Sequence, residues 1–97
     1  MAFVQIMEIV TDDVDKLRSL EQEWVAATEG RRTARREILT QDRNNPNRYV
    51  AIVFFDSYES AMENSNLPET QEFAGRFADF TTSMSFQDLD VVADETL

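Results

Sequence analysis

The side chains that could do chemistry in this chain of 97 residues are carboxylates, arginines, tyrosines and amides, because the sequence contains neither histidine nor cysteine. Histidine is the usual general base at neutral pH and the commonest metal ligand, and the cysteine thiolate is the usual sulfur nucleophile. We therefore predict a protein without a metal site, disulfides or thiol chemistry. Any catalysis would depend on carboxylates, tyrosine, arginine, amides or the substrate itself.

Arginines supply the densest concentration of positive charge in the sequence. Four of the nine basic residues lie within six positions: Arg31, Arg32, Arg35 and Arg36. Such a cluster could receive an anionic substrate, but we favour the interpretation that it offsets neighbouring carboxylates at a solvated edge. Arg36 is the functional candidate within it, because Ala34 and Ile38, two positions to either side, indicate a strand face that turns inward.

Other residues allow both a functional and a structural interpretation. Trp24 could be a stacking platform for a ligand, although a tryptophan on the apolar side of a helix is more often part of the core. Asp88 and Asp90 share one strand face and could form an acid–base pair, but nothing else at catalytic spacing accompanies them, which favours a solvent-facing edge. A stripe of phenylalanines at helical spacing predicts a core face: Phe73, Phe77 and Phe80.

Two segments indicate strands that are buried on both faces: Phe3–Val10, in which only Gln5 and Glu8 are polar, and residues 49–55, which are continuously apolar. One layer of helices can cover only one face of the sheet that contains them. In a chain of this length, the natural cover for the other face is a second copy of the molecule. The sequence therefore predicts a homodimer.

The remaining segments complete an order of strand, helix, strand, strand, helix and strand. They are a helix from the cap residues 11–13 to Gly30, a strand within 31–40, a hairpin loop over 41–47, a helical segment capped by Asp56 or Ser57 that restarts at Pro68, and a strand over 84–92. This order predicts one ferredoxin-like α+β domain over residues 1–97, βαββαβ, with a four-stranded antiparallel sheet and its helices on one face.

The balance of charge disfavours nucleic acids and anionic membranes as partners. Nine basic residues against nineteen acidic ones give a net charge of −10 and an isoelectric point near 4.2, which opposes phosphate backbones and anionic lipid surfaces. No apolar segment approaches the ~20 residues of a membrane span, and no basic region precedes an apolar leader. We expect a cytoplasmic protein that binds neither nucleic acid nor membranes.

Three segments carry a resemblance to a known family. They are Asn-Pro-Asn-Arg-Tyr-Val-Ala-Ile-Val-Phe-Phe-Asp-Ser (45–57), Ser-Asn-Leu-Pro-Glu-Thr-Gln-Glu-Phe-Ala (65–74) and residues 86–92. Together they resemble the dimeric α/β-barrel superfamily, and within it the small antibiotic biosynthesis monooxygenase-like proteins. The likeness spans nearly the whole chain and implies a homodimer in which two sheets pack face to face with helices outside.

The resemblance implies a choice of functions. Some members oxygenate polycyclic aromatic polyketides without metal or organic cofactor, and others degrade haem with a histidine as axial ligand, which this chain lacks. Attack of O₂ without a cofactor needs an ionisable, electron-rich substrate in a dry pocket with a few hydrogen-bonding groups. Gln5, Arg36 and Tyr49 could provide such groups to a small aromatic ligand if their side chains face the interior of the barrel. The alternative is a non-catalytic dimeric module that binds a hydrophobic ligand or has a filled barrel. A cleft of some ~300 Å³ or more would favour the enzyme.

Overall fold

The predicted order of strands and helices is confirmed by the computed structural model, which describes residues 2–97. The elements are β1 Phe3–Val10, α1 Val14–Ala27, β2 Arg36–Gln41, β3 Arg48–Phe55, α2 Tyr58–Ser65, α3 Pro68–Phe77, a short 3-10 turn Ala78–Phe80, and β4 Ser83–Asp90. The predicted restart of the second helical segment at Pro68 is also confirmed, since α2 and α3 are separate helices and α3 begins at that residue. The architecture is the ferredoxin-like α+β fold predicted from the sequence.

Local side chains fix where the helices begin. The Asp13 carboxylate accepts the backbone N–H of Lys16 at 3.1 Å and caps α1. Ser57 caps α2 through a reciprocal pair of hydrogen bonds with Ser60, each 3.1 Å long. Of the two caps that the sequence allowed for α2, Ser57 is therefore the one used. The Asp56 carboxylate is bound instead by the Arg35 guanidinium, at 2.7 Å.

The four strands form one antiparallel sheet in the order β2-β3-β1-β4. The register pairs Phe3 with Phe55 and Ile9 with Tyr49, so these four side chains lie on one face, which we call the helix face. All four are buried. Ile9 and Tyr49 form one core cluster with Leu17 and Leu20 of α1 and Phe77 of α3, and Phe3 and Phe55 form a second with Val53 and Ala61.

Phe77 shows that the phenylalanine stripe belongs to the core, as its spacing indicated. Its side chain is 2% exposed, and its ring centroid lies 5.3 Å from that of Phe73 and 5.4 Å from that of Phe80. Phe73 and Phe80 are themselves only partly buried and pack against the cluster. Tilted aromatic pairs at these distances are favourable beyond the area that they bury.

The opposite face of the sheet, the open face, is not covered by any helix of residues 2–97. Its centre is apolar and half-buried: Val4, Ile6, Ile38, Val50, Ile52 and Phe54. β1 and β3 therefore carry apolar side chains on both faces of the sheet, as expected from the sequence. Arg48 lies at the margin of this face, where its guanidinium binds Glu8 and Asp42, each at 3.0 Å.

The boundaries of two strands differ from the sequence prediction. β2 begins at Arg36 and not near Arg31, because the backbone N–H groups of Arg31 and Arg32 both donate to the Thr28 carbonyl and close a turn after α1. β4 ends at Asp90, two residues earlier than predicted. Within residues 2–97, the helices are all too short or too polar to cross a membrane.

Candidate functional site

The candidate site is a cavity of about 210 Å³ between the helix face of the sheet and the helices, which we call the aromatic cavity. Its walls come from all four strands and all three helices. Apolar atoms make up most of the lining surface, and the large apolar residues include Met7, Trp24, Phe55, Phe73, Phe77 and Phe86. A concave, mostly apolar space with a few polar groups is the usual form of a site for a small organic molecule.

Trp24 is held in the wall of this cavity by a hydrogen bond and by ring packing. Its indole Nε1 donates to the Thr70 hydroxyl of α3 at 2.9 Å, and its ring centroid lies 6.4 Å from that of Phe73. Because both contacts join α1 to α3, the indole has a fixed orientation beside the cavity. Trp24 is the only tryptophan of the chain, so its fluorescence reports on this cavity alone.

Three amide side chains border the cavity and provide neutral polar groups: Gln5, Asn64 and Gln71. Gln5 borders the cavity and donates from Nε2 to the Asp88 carboxylate at 3.1 Å. Asn64, at the end of α2, is 6% exposed, and its Oδ1 accepts the backbone N–H of Thr33 at 3.2 Å. The Asn64 Nδ2 group makes no side-chain hydrogen bond within residues 2–97, and Asn64 borders the cavity. It is a donor that a ligand oxygen could accept from.

Two glutamates form the only charged part of the lining described by residues 2–97. Glu21 of α1 and Glu37 of β2 both border the cavity, and their carboxyl groups share a hydrogen bond. Partial burial of Glu21, followed by the charge of Glu37 and the shared hydrogen bond, raises the pKa of the Glu21 carboxyl to about 8, against a smaller opposing effect of Arg18. At neutral pH the pair therefore keeps a proton.

The structure separates the four residues predicted to bind a ligand. Gln5 and Trp24 border the aromatic cavity. Tyr49 lies on the helix face but is buried in the core, where its hydroxyl accepts from the Gln41 amide at 3.3 Å. Arg36 lies on the open face, where its guanidinium sits 5.6 Å from the centre of the Phe54 ring. Arg36 therefore cannot act on the same ligand as Gln5 and Trp24 within one chain.

The rest of the arginine cluster is engaged at the surface, as the favoured interpretation held. Arg31 pairs with Glu69 and Arg35 pairs with Asp56. The Arg35 guanidinium holds the pKa of the Asp56 carboxyl below its usual value, chiefly through its hydrogen bond. Arg32 donates to the Val25 carbonyl at 2.8 Å. Asp88 and Asp90 are exposed on β4, as expected for an edge.

The glutamate pair and Asn64 were not predicted from the sequence. A signal for Glu21 was present, because it follows Leu17 by four residues and precedes Trp24 by three, and so lies on the apolar side of α1. Glu37 likewise shares a strand face with Leu39. A carboxylate on an apolar stripe indicates either that the stripe was assigned wrongly or that the residue belongs to a site. Choosing between the two requires knowing which residue lies beside it in the fold.

Comparisons with known proteins establish the fold. No family model and no curated protein matches the sequence. Rv0793 from Mycobacterium tuberculosis is 14% identical with a TM-score of 0.80, over 99% of this chain and 100% of that one. SnoaB, a cofactor-independent oxygenase from Streptomyces nogalater, is 13% identical with a TM-score of 0.82, over 96% of this chain and 95% of that one. A protein from Nitrosomonas europaea, named after antibiotic biosynthesis monooxygenases, is 12% identical with a TM-score of 0.78, over 94% of this chain and 90% of that one.

Proposed function

We propose that this chain, which has the fold of the antibiotic biosynthesis monooxygenase-like α/β-barrel proteins, binds a small flat aromatic molecule in the aromatic cavity and oxygenates it without a cofactor. The observation that carries the proposal is the cavity itself, with its aromatic walls and few polar groups. The similarity in fold to a cofactor-independent oxygenase supports the choice of reaction.

The volume of the cavity limits the ligand. At about 210 Å³ it is smaller than the ~300 Å³ at the lower end of common ligand sites. A molecule of one or two fused rings suits that space, whereas a polycyclic polyketide of four rings would require the helices to move. The walls offer ring faces for stacking, and Asn64 and Gln5 offer amide groups to a ligand oxygen.

The reaction would use the substrate as its own source of electrons. A deprotonated hydroxyaromatic ring is electron-rich and can react with O₂, so that one oxygen atom enters the ring and the other leaves as water. The protein would bind the ring, exclude bulk water and provide hydrogen bonds to the oxygen atoms on which charge develops. Trp24, Phe73 and Asn64 are the groups that we assign to these tasks.

A homodimer built through the open face is part of the proposal. Helices cover one face of the sheet only, and the apolar centre of the other includes Ile52 and Phe54. Two copies packed through this face would remove those side chains from water, and stable interfaces bury on the order of 1,000 Å² or more. The aromatic cavities would then lie outside the shared sheets, one in each protomer.

The second candidate function is a binding module without catalysis, and the small cavity volume favours it. Both functions predict that an aromatic ligand binds beside Trp24. Only the oxygenase predicts that O₂ is consumed. An experiment that measures both quantities therefore separates them.

The experiment uses α-naphthol and dihydroxynaphthalenes as probes, with O₂ uptake followed by an electrode and products by mass spectrometry in isotopically labelled O₂. An oxygenase is expected to give a quinone that contains one labelled oxygen atom. Ala74→Phe, which places a ring at the cavity wall, should abolish turnover, while Ala78→Phe, outside the lining, should not. Quenching of Trp24 fluorescence without O₂ uptake would support the binding module instead.

A further inference from the structure

We infer that Glu21 and Glu37 form a proton-accepting pair in the wall of the aromatic cavity, and that the ligand is a neutral molecule that gives up a proton there. The inference rests on the proposed function, because it assigns a role in the same cavity. It adds a general base and a class of substrate, neither of which follows from the fold.

The position of the pair is the first support. Glu21 projects from the apolar side of α1, and Glu37 projects from the helix face of β2, an edge strand of the sheet. Both side chains border the aromatic cavity and also an outer depression that Arg18 and Leu39 help to line. The pair therefore stands between the cavity and the solvent. A proton taken from a ligand on the inner side can leave by the outer side.

The charges around the pair are the second support. The charged groups that face Glu21 are Glu37 of β2 and Arg18 of its own helix. The cavity lining contributed by β1, β3, β4, α2 and α3 contains no ionisable side chain among residues 2–97. Arg18 lies on the outer side and so does not make the cavity positive. An anionic ligand would meet two carboxyl groups and no cation, which disfavours it.

The strength of the base follows from this environment. An ordinary carboxylate is too weak a base to accept a proton from a phenol at useful rates, and general bases work best when their pKa lies near the working pH. Burial and the neighbouring carboxylate bring Glu21 into that range. Glu37 acts through Glu21 as a positioning residue.

The proposed step is a proton transfer. The ligand O–H or activated C–H bond breaks, its electron pair stays on the ligand, and a new O–H bond forms on the carboxylate of the pair. No oxidant is needed for this step. The anion that results is the electron-rich form that the proposed reaction with O₂ requires.

The test measures proton abstraction separately from oxygenation. The probe is nitrobenzisoxazole, a flat bicyclic aromatic. A base removes its ring C–H proton, the C–H electrons form the nitrile, and the N–O bond breaks to release a coloured cyanonitrophenolate. Neither O₂ nor any cofactor takes part, so the reaction reports the base alone. Quenching of Trp24 fluorescence measures binding of the same probe.

We expect the wild-type rate to rise with pH to a plateau, with a midpoint near the pH of about 8 at which Glu21 ionises. Glu21→Gln should lower the rate by roughly 100-fold or more, the usual contribution of a general base. Glu37→Gln should move the midpoint to lower pH, because it removes a negative neighbour. Glu23→Gln is the matched control, since Glu23 lies on the same helix, pairs with Arg76 and does not border the cavity.

Each outcome has a definite meaning. If the probe quenches Trp24 but Glu21→Gln reacts as fast as wild type, the base assignment is overturned and the binding site stands. If the midpoint is the same in Glu37→Gln, the pairing is overturned. If Trp24 is not quenched at any probe concentration, the proposed function fails and the inference fails with it.

Discussion

The strongest prediction about the core concerns Phe77, which the sequence pattern placed in a buried stripe. Phe77→Ala removes a ring that is 2% exposed and that packs against Phe73 and Phe80. Truncations of this kind cost about 3 to 5 kcal/mol in general. Because Phe77 also borders the aromatic cavity, one side of the ring has fewer partners to lose. We therefore expect the free energy of unfolding to fall by about 3 kcal/mol, the lower end of that range.

The assay is urea denaturation followed by circular dichroism at one fixed protein concentration, since association would make stability depend on concentration. Thermal unfolding of the same proteins is the second measurement. For a domain of this size, a loss of about 3 kcal/mol corresponds to a melting temperature lower by roughly 12 to 24 °C. Phe86→Ala is the matched control: the same ring is removed, but Phe86 is 51% exposed. Phe86→Ala should lower the free energy of unfolding by about 1 kcal/mol. Equal losses in the two variants would refute the assignment of Phe77 to the core.

Three further predictions concern the open face, Arg36 and Glu21. Light scattering at micromolar concentration should give twice the chain mass of 11.2 kDa, and Ile52→Asp, which places a charge on the open face, should give the monomer mass. Arg36→Met should leave quenching of Trp24 by aromatic probes unchanged, because the two residues lie on opposite sides of the sheet; a weaker affinity would show that the open face takes part in binding. Folded Glu21 keeps its proton up to a pKa of about 8, whereas the unfolded carboxyl loses it near 4.5, so the folded state binds more protons between these values and stability falls as pH rises through them. The melting temperature of Glu21→Gln should therefore fall less over that interval than that of wild type.

The fold could be predicted from the sequence because each element carries its own signal. The continuous apolar run over residues 49–55 indicates β3, and Pro68 marks the start of a helix. The first residue of β2 and the last residue of β4 were less well predicted. Those boundaries depend on hydrogen bonds between neighbouring loops, such as the turn at Thr28, that no periodicity records.

The candidate site could be predicted only in part, because a site is a set of residues that meet across space. Trp24 was named from its position on the apolar side of α1, and Gln5 on the condition that it faces the barrel between two sheets. Both border the cavity, but Gln5 does so from the helix face of the sheet. Arg36 was placed with them because its neighbours suggested an inward face, but the sheet has two inward-looking apolar faces and the sequence does not say which one holds a ligand. Glu21 and Glu37 lie sixteen positions apart, on a helix and a strand, and their contact becomes visible only in the structure.

The most direct test of the account is a titration of the single tryptophan with α-naphthol in wild type, Ala74→Phe and Ala78→Phe. Because Trp24 borders the aromatic cavity, a ligand bound there must change its fluorescence. We predict saturable quenching in wild type and Ala78→Phe, and none in Ala74→Phe. Saturable quenching that is equal in all three proteins, or no quenching in wild type, would show that the cavity is not the binding site.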